Sequence, residues 1–86
     1  MAYIIEPCAS AKSFEIMFGK GIVLEKLEKE LEKTKNSVLS STNIVLLAKI
    51  NGKPVSVYAS GRAMVKEATK KETEKIAEIL CLSIER

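Results

Sequence analysis

The sequence predicts an α+β fold in which an antiparallel sheet of about four strands carries two helices on one face. Three observations predict it. Asn51-Gly52 separates two apolar runs, which is the strongest short-range signal for a β-hairpin. Two charge-rich segments, near 22–35 and 70–83, repeat apolar residues at helical spacing. A chain of 86 residues is long enough for a single domain with one modest core.

The first predicted strand of the sheet covers residues 13–18. It is rich in bulky apolar residues and ends at Gly19-Lys20-Gly21, which we interpret as a turn into a helix. Residues 1–11 are expected to form an N-terminal extension, where Tyr3-Ile4-Ile5 is a candidate short strand that Pro7 interrupts.

A first helix is predicted from Ile22 to about Lys35. Val23, Leu24, Leu27 and Leu31 form one narrow apolar stripe, and alternating Glu and Lys fill the remaining positions. Such a charged surface is typical of a solvated helix face.

Two successive hairpins are predicted after a polar, turn-like stretch at 36–41. The first joins strands at 42–50 and 53–59 through a two-residue turn. For the second, a three-residue loop at Ser60-Gly61-Arg62 would pair Val57 with Val65. A two-residue turn would bury unpaired cations at a cost of several kcal/mol. The predicted core face contains Ile44, Leu46, Ala48, Ile50, Val55, Val57, Ala59, Ala63 and Val65.

The last helix is predicted from Lys70 to about Ser83. Thr69 and Glu72 have the spacing of a capping box, and Ile76, Ala77, Leu80 and Ile84 form the core stripe. Ile79 and Leu82 extend the apolar surface beyond this stripe. We interpret these two residues as a candidate protein interface, the alternative being packing against the N-terminal segment.

The sheet face opposite the helices is the candidate binding site. Few residues remain to cover it, and it combines an aromatic ring and aliphatic neighbours with basic residues. This mixture is typical of proteins that bind single strands or a minor groove, whereas a homodimer that buries the same face is the alternative. The candidate nucleic-acid-binding residues are Asn43, Val45, Leu47, Lys49, Ser56, Tyr58, Arg62, Met64 and Lys66.

The composition argues against enzymatic and metal chemistry. The chain has no His and no Asp, so the commonest general base and the commonest metal ligand are missing. Cys8 and Cys81 match no metal-binding spacing, and we expect them to be reduced thiols in a cytoplasmic protein, the alternative being a disulfide. No apolar run approaches the length of a membrane span. We therefore expect no catalysis, cofactor, metal or membrane partner. The abundance of Lys and Glu is thermophile-like.

The order strand, helix, antiparallel run and last helix resembles one of the two repeats of the TATA-box-binding protein family. The local match is Tyr58-Ala59-Ser60-Gly61-Arg62, where the family has aromatic, small, Ser, Gly and basic residues before an apolar strand and a capped helix. Thr42 to Ile50 also looks like the preceding family strand, and the resemblance covers about residues 12–84.

The resemblance implies a half-domain that binds nucleic acid through its sheet. The aromatic residue at the position of Tyr58 is one of the wedges that the family inserts between DNA base steps. Asn43 stands where the second wedge falls and cannot act as one. The first strand also lacks the base-contacting Asn of the family, and a saddle would require a second copy or a related partner. We therefore expect an accessory module that binds DNA or RNA, and not TATA recognition. The alternative is an assembly subunit, as a homodimer or within a larger complex, without nucleic-acid binding.

Overall fold

The computed structural model describes residues 3–7, 12–34 and 36–85. In chain order, the elements are β1 (Ile4–Pro7), β2 (Ser13–Met17), α1 (Leu24–Glu32), β3 (Ser37–Ser41), β4 (Val45–Ile50), β5 (Lys53–Tyr58), β6 (Arg62–Lys66) and α2 (Lys70–Glu85). The predicted α+β class is confirmed.

Within the described residues, the sheet has six strands, in the order β1-β2-β6-β5-β4-β3, and every neighbouring pair is antiparallel. The prediction of about four strands was wrong at both edges. Residues 37–41 form β3 instead of a turn. An edge strand needs hydrogen bonds to only one neighbouring strand, here β4, and it buries little apolar surface. Val38 is its one side chain packed on the core. Within the N-terminal extension, β1 adds a further strand to the sheet at the edge formed by β2.

The predicted Asn51-Gly52 hairpin is confirmed. Ile50 lies opposite Lys53, and both turn residues have positive φ, at 52° and 79°. These left-handed conformations are what a two-residue turn between twisted strands requires, and Asn and Gly tolerate them best.

The second hairpin has a three-residue loop, but the predicted register was wrong. The loop is Ala59-Ser60-Gly61, so Val57 lies opposite Ala63 and not opposite Val65. The register differs by two residues, and side chains alternate with a period of two. The assignment of residues to the two faces is therefore still correct, and Val57, Ala63 and Val65 are fully buried.

Gly61 ties this loop to the segment between β2 and α1. Its φ is 104°, and a Cβ at this position would lie 2.9 Å from the carbonyl carbon of Lys20 and closer still to its oxygen. The Phe18 amide donates a hydrogen bond to the Gly61 carbonyl at 2.9 Å, and the Ile22 amide donates one to the Ala59 carbonyl at 2.9 Å. Only glycine permits this approach of two backbones.

Both helices cover the same face of the sheet, as predicted, and the core lies between the two layers. It contains Ile16, Phe18, Ile22, Leu24, Leu27, Leu31, Leu46, Ala48, Ile50, Val55, Val57, Ala63, Val65, Ala68, Ile76, Ala77, Leu80 and Cys81.

Ile44 is the predicted core residue that the structure places outside the core, with 68% of its surface exposed. The Thr42 hydroxyl accepts hydrogen bonds from the amides of Ile44 and Val45, at 3.1 and 3.0 Å, and its own amide bonds the Val45 carbonyl. This turn delays the start of β4 until Val45, so the alternation that would bury Ile44 has not yet begun.

The helices differ from the prediction in length and at one position of the first apolar stripe. Val23 was predicted in that stripe, but it is the N-cap residue before α1 and 69% of its surface is exposed. Helix α1 is shorter than predicted, and α2 runs two residues further. The capping box of α2 is confirmed, because the Thr69 amide donates to Glu72 Oε1 at 2.8 Å and the Glu72 amide donates to Thr69 Oγ1 at 3.2 Å. It satisfies two amides that the helix itself leaves unpaired.

Candidate nucleic-acid interface

The sheet face turned away from the helices, here called the open face, carries three rows of side chains that cross the strands. The Tyr58 row consists of Ile4, Met17, Arg62, Tyr58 and Val45. The middle row consists of Glu6, Glu15, Met64, Ser56, Leu47 and Ser40. The lysine row consists of Ser13, Lys66, Pro54, Lys49 and Ser37.

Eight of the nine predicted binding residues lie together on the open face, because they alternate with the buried residues of β4, β5 and β6. Leu47, Lys49, Tyr58, Arg62 and Lys66 are exposed, while Val45, Ser56 and Met64 are half-buried. The ninth, Asn43, lies in the turn between β3 and β4 and lines a cleft with the first turn of α1.

The two predicted interface residues of α2 differ in burial. Leu82 is 55% exposed, whereas Ile79 is half-buried and packs against the core. Only Leu82 therefore offers much apolar surface on this helix.

Glu15 is an open-face residue that sequence reasoning missed. Arg62 Nε donates a hydrogen bond to Glu15 Oε2 at 2.9 Å, and Arg62 Nη2 donates to the same oxygen. The guanidinium is thus held beside Tyr58, the residue directly opposite Arg62 on β5. The sequence of β2 shows the alternation of a strand. Its pairing with β6, however, brings together Glu15 and Arg62, which are 47 positions apart, so no local sequence pattern predicts their contact.

β1 and β2 also add apolar side chains to the open face. Ile4 is 59% exposed and lies opposite half-buried Met17 at the end of the Tyr58 row. On β3, Leu39 is the extra residue of a bulge and is also largely exposed. The apolar surface is therefore wider than the three central strands predicted.

Charge is divided unequally between the two layers. The helices hold eight of the eleven Glu residues and five of the fourteen basic residues, so they carry a net charge of −3. The open face carries three basic residues, Lys49, Arg62 and Lys66, and two acidic residues, Glu6 and Glu15, so its own net charge is +1. On the open face, Lys49 and Lys66 stand in one row with no acidic neighbour in it. Concentration of basic charge away from acidic surface is the electrostatic feature of nucleic-acid binders.

Reactive groups are sparse in the parts of the chain that the structure describes. No group of three or more potential His, Cys, Asp or Glu ligands comes together there. Burial raises the pKa of the Cys81 thiol, which lies 3.4 Å from Glu85 Oε1 on α2. Cys8 lies outside the described residues. None of the helices in the described ranges is long and apolar enough to cross a membrane.

The fold and the open face together define an α+β protein with a two-layer architecture and one sheet surface that the described residues leave uncovered. No family model matches the chain, and no curated protein and no solved structure matches it significantly.

Proposed function

We propose that the protein is a non-catalytic module that binds nucleic acid through the open face. The observation that carries this proposal is the lysine row, where exposed Lys49 and Lys66 lie on the same uncovered face as the apolar side chains of the Tyr58 row. A polyanion gains most from a surface whose cations are grouped, because each neutralised phosphate releases counterions. The absence of His and Asp from the sequence supports a role without catalysis.

The element order supports the proposed relation to a half of the TATA-box-binding protein fold. From β2 onward, the chain runs strand, helix, strands, helix, and β2 lies beside β6. There are four strands between the helices where three were predicted, and β1 is additional. Within this proposal, Tyr58 is the ring that contacts bases. Asn43, at the other wedge position, is too polar to enter a base step, so a TATA function is not proposed.

A charge-swap pair tests the proposal. Lys49→Glu with Lys66→Glu changes the open face, while Lys26→Glu with Lys75→Glu changes the two helices by the same four units of charge. Affinity for labelled DNA and RNA of mixed sequence at low salt is the measurement. We expect the open-face variant to bind about tenfold more weakly or worse, and the helix variant to remain near the wild type. Equal losses in both variants would show that only net charge matters.

An assembly role is a second candidate, favoured by the apolar side chains of the same face. Those of the Tyr58 and middle rows include Ile4, Met17, Val45, Leu47, Tyr58 and Met64, a contiguous surface of the kind that protein partners bury. Light scattering over a range of protein concentrations tests it. A stable dimer that Leu47→Glu dissociates would support this candidate, and a monomer at all concentrations would exclude self-association through this face.

A further inference from the structure

We infer that the ligand of the open face is a single-stranded nucleic acid, with its bases on the Tyr58 row and its phosphates on the lysine row. This inference rests on the proposed function and specifies its substrate class. It comes from the arrangement of the two rows and not from the total charge.

The apolar and cationic side chains are separated along the strands. Tyr58 and Pro54, which mark the two rows on β5, are four residues apart, which corresponds to about 13 Å along a strand. The Tyr58 row contributes a ring, two aliphatic side chains and Met17. The lysine row contributes Lys49 and Lys66, on strands separated only by β5.

The one cation of the Tyr58 row is engaged by a carboxylate. Arg62 donates hydrogen bonds from Nε and Nη2 to the Glu15 carboxylate. Positive charge available to a phosphate is therefore concentrated on one side of the apolar row.

This one-sided arrangement matches a single strand better than a duplex. An unpaired strand presents phosphates along one side and base faces along the other, and its bases stack on aromatic side chains in many proteins. A duplex presents phosphates on both sides of each groove, so a surface that lies across a groove needs cations on both flanks. The middle row adds Ser40 and Ser56, which can donate or accept hydrogen bonds between the two regions.

Fluorescence anisotropy with labelled 20-nucleotide probes tests this inference. The probes are single-stranded DNA, single-stranded RNA and the duplex of the same DNA sequence, each titrated at several salt concentrations. The variants are Tyr58→Ala, Tyr58→Phe and Lys49→Ala with Lys66→Ala, with Leu82→Ala as an exposed apolar control on α2. Thermal unfolding verifies that each variant is folded.

We expect the single strands to bind at least about tenfold more tightly than the duplex. Loss of the ring in Tyr58→Ala should weaken single-strand binding by about 5- to 100-fold without changing the salt slope. Leu82→Ala should bind like the wild type, and Tyr58→Phe, which keeps the ring, should recover most of the affinity that Tyr58→Ala loses. Lys49→Ala with Lys66→Ala should instead reduce the slope of log K against log salt by about 1.4, which corresponds to two phosphates of a single strand.

Other outcomes separate the inference from the function beneath it. Equal or tighter binding of the duplex, or an unaffected Tyr58→Ala, would overturn the single-strand inference while leaving nucleic-acid binding in place. Failure of every probe to bind in a salt-dependent way would overturn both and leave protein assembly as the role of this face.

Discussion

At the scale of single residues, the pair Glu15 and Arg62 decides how the basic charge of the open face is used. Arg62 donates from two nitrogens to one carboxylate oxygen, while Lys49 and Lys66 lie in a row without a carboxylate. A guanidinium that is committed to a carboxylate has fewer donors for a phosphate. Glu15 therefore limits the contribution of Arg62 to binding a polyanion.

Replacing Glu15 with Gln should release Arg62 and tighten binding to single-stranded probes. We expect the salt dependence to steepen by about 0.7 in log–log slope, as for one additional phosphate contact. Anisotropy titrations at several salt concentrations provide the measurement. Glu25→Gln on α1 is the control, because Glu25 forms an exposed pair with Lys29 at 3.7 Å. Weaker binding by Glu15→Gln would show instead that Glu15 holds Arg62 in its binding position.

Gly61 should be the least replaceable glycine whose surroundings are described. In Gly61→Ala, the new Cβ would sit on a residue with a left-handed φ and would also clash with the Lys20 backbone. In Gly52→Ala, the φ is also left-handed, but the new Cβ would meet no atom within 4 Å. We expect the Gly61 variant to lose about 2 kcal/mol more in free energy of unfolding than the Gly52 variant. Denaturant titration measures both, and equal losses would contradict the close approach of the two segments.

At the scale of elements, Glu72 connects the start of α2 to the β4–β5 hairpin. Its carboxylate accepts a hydrogen bond from the Thr69 amide at 2.8 Å and lies 3.6 Å from Lys53 Nζ. The hydrogen bond from the Thr69 amide is the main cause that lowers the pKa of Glu72 below 4.5. The cap therefore depends on the ionised form of this residue.

The stability of the protein should fall on acidification in part through this cap. The pKa of Glu72 is lower in the folded state than its ordinary value of 4.5. Its contribution to the free energy of unfolding is therefore complete at pH values above 4.5 and is lost as the pH falls through the folded-state pKa. Glu72→Gln should lack this part of the decline, so the wild-type and variant stability curves should converge at low pH. Denaturant unfolding between about pH 6 and pH 3 measures it. A constant difference across this range would contradict the assignment.

The elements that sequence predicts well are those with local signals. Asn51-Gly52 and the pair Thr69 and Glu72 specify a turn and a helix start through contacts within a few residues. β3 was missed because its serine-rich segment is a strand only by pairing with β4. Ile44 was placed in the core because its apolar side chain continues the alternation of β4, and the hydroxyl of Thr42 was not foreseen to close a turn there.

At the scale of the whole molecule, the site was predictable where alternation alone defines a face. Eight of the nine predicted binding residues share the open face because the register error in the second hairpin was an even number of residues. Glu15, Met17 and Ile4 could not be assigned, since the positions of β1 and β2 at one edge of the sheet depend on pairing across most of the chain. The pairing of β2 with β6 changes the chemistry of the site, because it brings the carboxylate of Glu15 to Arg62.

The separation of the acidic helices from the lysine row of the open face is also a property of the whole fold. It depends on both helices lying on one side, which leaves the opposite side of β4, β5 and β6 uncovered among the described residues. Neither the net charge of +3 nor any single element contains this information.

The most direct test of the central claim is to map the amide chemical shifts of the protein while a single-stranded oligonucleotide is added. We predict that the largest changes fall on Tyr58, Arg62 and Met64 and on both lysines of the lysine row, while α1 and α2 change little. Changes concentrated on the helices, or no changes at low salt, would contradict the account.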